Sequence, residues 1–175
     1  MAIIDMLLEE LEQEARTTRR VLERVPEAHL AWKPHEKSMT LGQLALHVAT
    51  VPGSVAELAV QPFVPAPPAF IQAPATSVAE LIPALEESIA KARMLLGGMD
   101  DAGLASIWRL MNGDQEVLAL PRGALLRSIM LNHWYHHRGQ LSVYLRALGV
   151  PLPAIYGPSA DENPFAVAPT PVAGV

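Results

Sequence analysis

The sequence predicts an all-α fold, a bundle of four helices with a small hairpin before the last helix and an irregular C-terminal tail. Four segments repeat apolar residues at three- and four-residue spacing, which is typical of helices with one buried face. No series of alternating strands is present. A chain of 175 residues is long enough to bury roughly 70% of its unfolded surface in one core. We therefore expect one domain over residues 1–165 and a disordered tail over 166–175.

The first helix is predicted over residues 3–25, with apolar positions on one face and glutamates and arginines on the other. Pro26 ends it, because proline has no N–H and clashes with the preceding turn. The connector that follows, 27–38, contains His29 and His35, which we expect to be exposed to solvent.

The second helix is predicted to begin after a cap at Ser38 or Thr40. Pro52 and Gly53 are expected to kink or interrupt it, because proline removes a backbone donor. Residues 61–76 are rich in proline and carry no charge, so they are predicted to cross the surface as an irregular segment.

The third helix and the hairpin have clear boundary signals. Ser77 and Glu80 have the spacing of a capping box at the start of the helix, and Gly97 is placed to stop it. Asn112 and Gly113 lie between two apolar runs, which is the pattern of a tight hairpin turn.

The fourth helix, predicted from about Arg122 to Leu148, contains three of the six histidines. His133, His136 and His137 lie within five residues of each other, although histidine has only modest helix propensity. At about 100° per residue, His133 and His137 fall inside the predicted apolar stripe. His136 falls on the shoulder of that stripe.

Two imidazoles one helical turn apart can bind a single metal ion, since their Cβ atoms are about 5–6 Å apart. The alternative is that His133 and His137 are core residues, which would require an uncharged buried partner for each ring. We favour the metal. His47 is the histidine that lies inside another predicted helix, and periodicity leaves open whether it is a third ligand or a partly exposed residue.

Several neighbours of the histidine pair have two possible roles each. Gln140 could hydrogen-bond to a metal ligand or be a satisfied amide of the core. Tyr144 could donate to a substrate, although aromatic packing is the favoured role. Arg138 is expected to make a structural salt bridge, and Trp134 is expected to pack in the core. Asp161 could act as a base if the tail folds over the metal.

Composition excludes several classes of function. The 13 basic and 18 acidic residues give a net charge of −5 without a basic run, which argues against nucleic-acid and anionic-membrane partners. No uninterrupted apolar stretch is long enough to span a bilayer. Without cysteine there is no disulfide, iron–sulfur cluster or protein thiol nucleophile. With no signal sequence visible, we expect a cytoplasmic protein, and the high apolar content favours a subunit interface.

Two segments carry a family resemblance: WKPHEKSMTLGQLALHVAT and MLNHWYHHRGQLSVYLRALGVPLPAIYGPSADE. They resemble the DinB/YfiT superfamily of metal-binding four-helix bundles, over most of the chain. The resemblance implies an up-down-down-up bundle, often a homodimer, in which three histidines bind one divalent ion. One ligand comes from the second helix and two from the fourth. On this sequence those positions are His47, His133 and His137.

Three neutral imidazoles suit zinc or nickel and leave a position open for water or substrate. The resemblance implies an enzyme for a small-molecule substrate, most simply a thiol S-transferase that uses a low-molecular-weight thiol such as bacillithiol or mycothiol. A thiol-dependent isomerase is a related activity. The alternatives are a metal-dependent hydrolase and a stress-associated metal- or ligand-binding protein without turnover.

Overall fold

The computed structural model describes residues 2–67 and 71–166 of the chain. It is mostly helical and has a small three-stranded sheet. None of the helices in these two ranges combines the length and hydropathy needed to span a bilayer. Apart from Ala166, the predicted disordered tail lies outside the described residues. The α-helices are α1 (Ile3–Leu22), α2 (Leu41–Ala59), α3 (Leu81–Leu96), α4 (Asp101–Ala105), α5 (Arg122–Leu125) and α6 (His133–Ala147).

Shorter elements connect the helices. A π-helical segment, Leu126–Asn132, joins α5 to α6, so the predicted fourth helix is one run with three local geometries. Single 3₁₀ turns lie at Glu27–His29 and Val78–Glu80. The strands are β1 (Phe63–Pro65), β2 (Ile107–Asn112) and β3 (Gln115–Pro121).

Helix α2 is central in the core because it packs against α1, α3, α6 and the π-helical segment. Its residues are therefore buried on more than one face, including the two small positions Ala45 and Ala49, which are fully buried. All five positions of the predicted apolar stripe are buried: Leu41, Leu44, Val48, Val51 and Val55. The periodicity of this helix predicted its buried face correctly.

The predicted caps are confirmed at two helix starts. Thr40 Oγ1 accepts a hydrogen bond from the Gln43 N–H at 3.1 Å, and the Thr40 N–H donates to Gln43 Oε1 at 2.9 Å. This reciprocal pair satisfies backbone donors that the first turn leaves free. Ser77 and Glu80 form the second capping box, at a 3₁₀ turn directly ahead of α3.

The second helix runs without interruption past Pro52, so the predicted break is wrong. Proline has no N–H for the carbonyl four residues earlier, which is that of Val48. The indole Nε1–H of Trp134 donates to this carbonyl at 2.7 Å. A side chain of α6 thus replaces the backbone donor that α2 lacks.

Gly53 allows α2 and α3 to approach closely at the same level. A Cβ added at Gly53 would lie 2.9 Å from the Cα and carbonyl oxygen of Ser88, closer than real Cβ contacts. The Gly53 N–H donates to Ser88 Oγ at 2.8 Å, and that hydroxyl donates to the Thr50 carbonyl at 3.1 Å. The backbone groups beside the proline are therefore satisfied by α3.

The predicted hairpin is confirmed, but its turn between β2 and β3 is Gly113 and Asp114, one residue later than the expected Asn112 and Gly113. Gly113 has a φ of +59°, which glycine adopts without steric cost. The prediction of an irregular crossing missed β1, which pairs in parallel with β2. A strand of three residues is too short to show an alternating pattern, and it forms because Val64 is buried against the core.

The described part of the C-terminal tail, up to Ala166, is irregular, as predicted, and is fixed against the ends of α1 and α6. The Asp161 carboxylate pairs with Arg146 and accepts from the Leu152 N–H at 2.8 Å. The Glu162 carboxylate pairs with Arg20 at 2.5 Å. Asp161 is therefore engaged in holding the tail, and the role of a base beside a metal does not fit these contacts.

Arg138 makes the expected salt bridge, and the pair is buried. Its guanidinium, 1% exposed, lies 2.5 Å from the Glu14 carboxylate and donates to Thr18 Oγ1 at 3.1 Å. The Tyr156 hydroxyl accepts from Arg138 at 2.6 Å and donates to Glu14 at 3.0 Å. A buried charge pair requires such complete hydrogen bonding. This network connects α1, α6 and the tail.

Replacing Trp134 with Phe should leave the Val48 carbonyl buried without a donor. We expect the free energy of unfolding to fall by about 1–3 kcal/mol from the lost bond, with a further loss from the smaller ring, as measured by urea denaturation. In a Pro52→Ala background the new backbone N–H can donate to Val48, so the loss should be smaller. An equal loss in both backgrounds would contradict the proposed replacement of the donor.

Candidate metal centre

Three histidines from two helices converge at one point. His47 comes from the middle of α2, and His133 and His137 come from the first turns of α6. The Nε2 atoms of His47 and His133 are 3.0 Å apart, and one nitrogen from each ring lies within 4.8 Å of the others. His47 is buried, with 5% exposure, whereas His133 and His137 are partly buried. The group is therefore buried on the side of His47 and partly exposed to solvent on the side of His133 and His137.

The histidines lie at the edge of the buried face of α6. The buried residues Trp134, Arg138 and Leu141 place the centre of that face roughly 90° from the predicted stripe. The predicted stripe assumed a constant angle of about 100° per residue from Leu126 to Leu148, before and within α6. The π-helical segment Leu126–Asn132 changes that angle, so the residues before α6 do not keep the assumed angular relation to those within it.

Each predicted histidine now has a defined place. His47 is buried, so its alternative role as a partly exposed residue is wrong. His136 is exposed and does not belong to the converging group, as predicted, although its ring centroid is 5.0 Å from that of His137. His29 and His35 are exposed in the connector, as expected.

Two glutamines fix the orientation of two imidazole rings. Gln140 Oε1 lies 2.6 Å from His137 Nδ1, and Gln72 Oε1 lies 3.0 Å from His47 Nδ1. An amide oxygen can only accept, so both Nδ1 atoms carry the proton in these bonds. The lone pair of each ring then lies on Nε2, the side that faces the group.

Gln140 is exposed and bonds to His137, so of its two expected roles the contact with a metal-ligand candidate is correct and that of a core amide is wrong. Gln72 was not anticipated. Gln72 lies in the proline-rich crossing, 25 residues from His47 in the sequence. Its own amide N–H donates to the Ala73 carbonyl at 3.1 Å, which turns Oε1 towards the ring. Without a helical period, the sequence of the crossing gives no signal for a buried contact.

The rings of Tyr144 and Trp32 pack on each other. Their ring centroids are 5.5 Å apart in an edge-to-face arrangement. The Tyr144 hydroxyl donates to the Met39 carbonyl at 3.4 Å. These contacts agree with the packing role that was favoured for Tyr144.

The three rings fit a divalent ion by donor type and by spacing. Zinc binds imidazole nitrogen at about 2.0–2.1 Å, so two tetrahedral nitrogen ligands lie about 3.3 Å apart. The 3.0 Å separation of the His47 and His133 Nε2 atoms is close to that value. Within residues 2–67 and 71–166, the group contains neither a carboxylate nor a thiolate. An all-imidazole set suits borderline metals such as zinc and nickel.

The surroundings keep the three imidazoles neutral, which is the state that binds metal. Burial lowers the pKa of His47, and the hydrogen bond to Gln72 partly opposes that shift. Burial also lowers the pKa of His133, with a smaller contribution from neighbouring histidines. Burial lowers the pKa of His137 to about 4, and the hydrogen bond that His137 donates to Gln140 partly opposes that shift.

A hydrogen bond between their chain neighbours holds His47 and His133 at this distance. Val48 follows His47 and Trp134 follows His133, and these two residues form the 2.7 Å bond at the level of Pro52. The bond joins the backbone of α2 directly to α6. The separation of the two Nε2 atoms is therefore set by the packing of rigid helices.

A sequence model of the DinB family matches residues 2–164. The chain belongs to the DinB family. The uncharacterized protein YrdA of Bacillus subtilis strain 168 is 26% identical over 163 residues, which cover 91% of each chain.

Solved structures of DinB-like proteins share the fold. The protein from Bacillus cereus ATCC 10987 superposes with a TM-score of 0.67 at 21% identity, over 89% of this chain and 98% of its own. The Bacillus subtilis protein YjoA gives a TM-score of 0.64 at 20% identity, over 86% and 96% of the two chains. These structures support a DinB-like architecture for the present chain.

The three shifted histidines predict how the stability of the metal-free protein depends on pH. The unfolded chain takes up protons near the ordinary histidine pKa of about 6.5, whereas the folded chain resists them. Acidification therefore favours unfolding, and the loss begins as the pH falls below about 6.5. Urea denaturation of the metal-free protein at pH 7.5, 6.5 and 5.5 measures this loss.

Two matched variants test whether His137 causes this loss of stability on acidification. His137→Gln should flatten the decline, because burial lowers the pKa of His137 to about 4 and the glutamine cannot take up that proton. His29→Gln, at an exposed position of the connector, should leave the decline unchanged. A decline that is the same in both variants would contradict the assignment.

Proposed function

We propose that the chain is a metal-dependent enzyme that binds one divalent ion through His47, His133 and His137 and acts as a thiol S-transferase. One observation carries the proposal: three imidazoles converge, and in two of them an amide oxygen accepts from Nδ1, which places the lone pair of the ring on Nε2. Zinc or nickel is the expected ion.

A thiol is favoured over water as the nucleophile. Hydrolysis by a bound water commonly needs a general base within reach of that water, and Asp161, the carboxylate considered for that role, is engaged with Arg146 and the Leu152 N–H in the tail. A thiol has an ordinary pKa of about 8.5, and a bound cation favours its thiolate form directly. The chain has no cysteine, so the thiol comes from a small molecule.

The three histidines would bind the ion and fix its position for the reactants. His133 and His137 hold their rings from consecutive turns of α6, and buried His47 closes the group from α2. The partly buried side of the group is where a thiol and a small electrophilic substrate would approach. Fixed rings reduce the reorganisation needed to bring the two reactants together.

We also propose the larger arrangement that the family resemblance implies. It comprises one domain over residues 1–165, an up-down-down-up four-helix topology, a homodimer and a cytoplasmic location. The match of the family model over residues 2–164 supports the single domain. The net charge of −5 without a basic run supports a small-molecule substrate over a nucleic acid.

Metal content and thiol consumption of purified variants test the proposal together. The wild-type protein should bind about one equivalent of zinc or nickel, measured by elemental analysis. It should also accelerate the conjugation of monochlorobimane with a low-molecular-weight thiol from a panel that includes bacillithiol and mycothiol. His133→Ala and His137→Ala should lose both properties, because two remaining ligands hold the ion poorly.

His136→Ala is the matched control, since this neighbour is exposed and stands outside the group. It should keep both the metal and the activity. Ester hydrolysis without thiol would replace the proposal with a hydrolase. Metal binding without either activity would replace it with a binding protein.

A further inference from the structure

Two of the three rings in the metal-binding group have an uncharged amide as the hydrogen-bond partner of Nδ1. Gln72 and Gln140 occupy the Nδ1 positions of His47 and His137, where metal-binding histidines frequently have a carboxylate. We infer that these two amides are specificity-determining residues that keep the centre at the full charge of its ion, so that it selects an anionic ligand over a neutral one. This inference rests on the proposed metal site.

Gln72 is held in place from two directions. The Gln43 amide N–H donates to the Gln72 carbonyl at 2.9 Å, and Gln43 Oε1 accepts from the Thr40 N–H at the start of α2. The Gln72 amide N–H is occupied by the Ala73 carbonyl. The capping box of α2 thus also positions the crossing segment beside His47.

Gln140 is fixed differently, by its position on α6. It lies three residues after His137, so the two side chains are neighbours on one helix face. Its Oε1 accepts at 2.6 Å, a short distance for a bond between neutral groups. Both amides are therefore preorganised acceptors, and each can hold the ring without taking its proton.

The two amides leave the net charge of the metal centre equal to that of its ion. Three neutral imidazoles and two amides add no charge, so a divalent ion keeps a net charge of +2. A carboxylate at either position would add one negative charge and would make the imidazole a stronger donor. Both effects would weaken the attraction for an anion. An uncompensated +2 centre in a partly buried site favours a thiolate over a neutral ligand.

Ligand binding to the cobalt(II)-substituted protein tests the inference by absorption spectroscopy. The probes are azide as an anion, 2-mercaptoethanol as a thiol that releases its proton and binds as the thiolate, and imidazole as the neutral ligand, all at one buffered pH. Gln72→Glu and Gln140→Glu should each weaken the two anionic ligands relative to imidazole by about tenfold, as expected for one added charge at a distance of several ångströms. Both variants should retain cobalt, because a carboxylate partner strengthens the ligand.

Gln13→Glu on the exposed face of α1 is the control for charge alone and should leave the ratio of affinities unchanged. An unchanged ratio in both test variants, or loss of cobalt from both, would overturn the inference while the metal site stands. If the wild-type protein binds no metal, the proposed function itself fails. Gln140→Leu should weaken cobalt binding without changing the ratio, which separates orientation from charge.

Discussion

The hydrogen bond from the Trp134 indole to the Val48 carbonyl is the constraint on which the site depends. It exists because Pro52 cannot supply the backbone donor that Val48 would otherwise receive. The position in α2 that lacks a backbone donor is therefore the position at which α6 is hydrogen-bonded to it. Since the residues before Val48 and Trp134 are metal-ligand candidates, the same bond sets their separation. The same hydrogen bond therefore contributes to the stability of the fold and to the geometry of the site.

Helix α6 divides its surface between two kinds of polar chemistry. One side contains the buried Arg138, whose charge is matched by Glu14 and fully hydrogen-bonded. The other side contains His133 and His137, which burial keeps neutral. A buried, fully hydrogen-bonded ion pair suits a permanent contact between α1 and α6. A neutral, partly open group suits the binding of a cation that brings its own charge.

Sequence patterns predicted the features that depend on local rules. The capping residue Thr40, the hairpin at Gly113 and the buried stripe of α2 follow from spacing and backbone preference alone. The prediction failed where geometry is not local. The π-helical segment shifts the register of α6, and Gln72 reaches His47 from a segment without any period. Family resemblance, rather than periodicity, singled out His47 as a ligand.

X-ray absorption spectroscopy of the metal-loaded protein, recorded without added thiol, measures the donor set directly. We expect three imidazole nitrogen ligands at about 2.0–2.1 Å for zinc, with oxygen from solvent completing the shell. Addition of a thiol should then add one sulfur ligand at about 2.3 Å. A first shell with fewer than three imidazoles, or one that contains a protein carboxylate, would contradict the three-histidine centre.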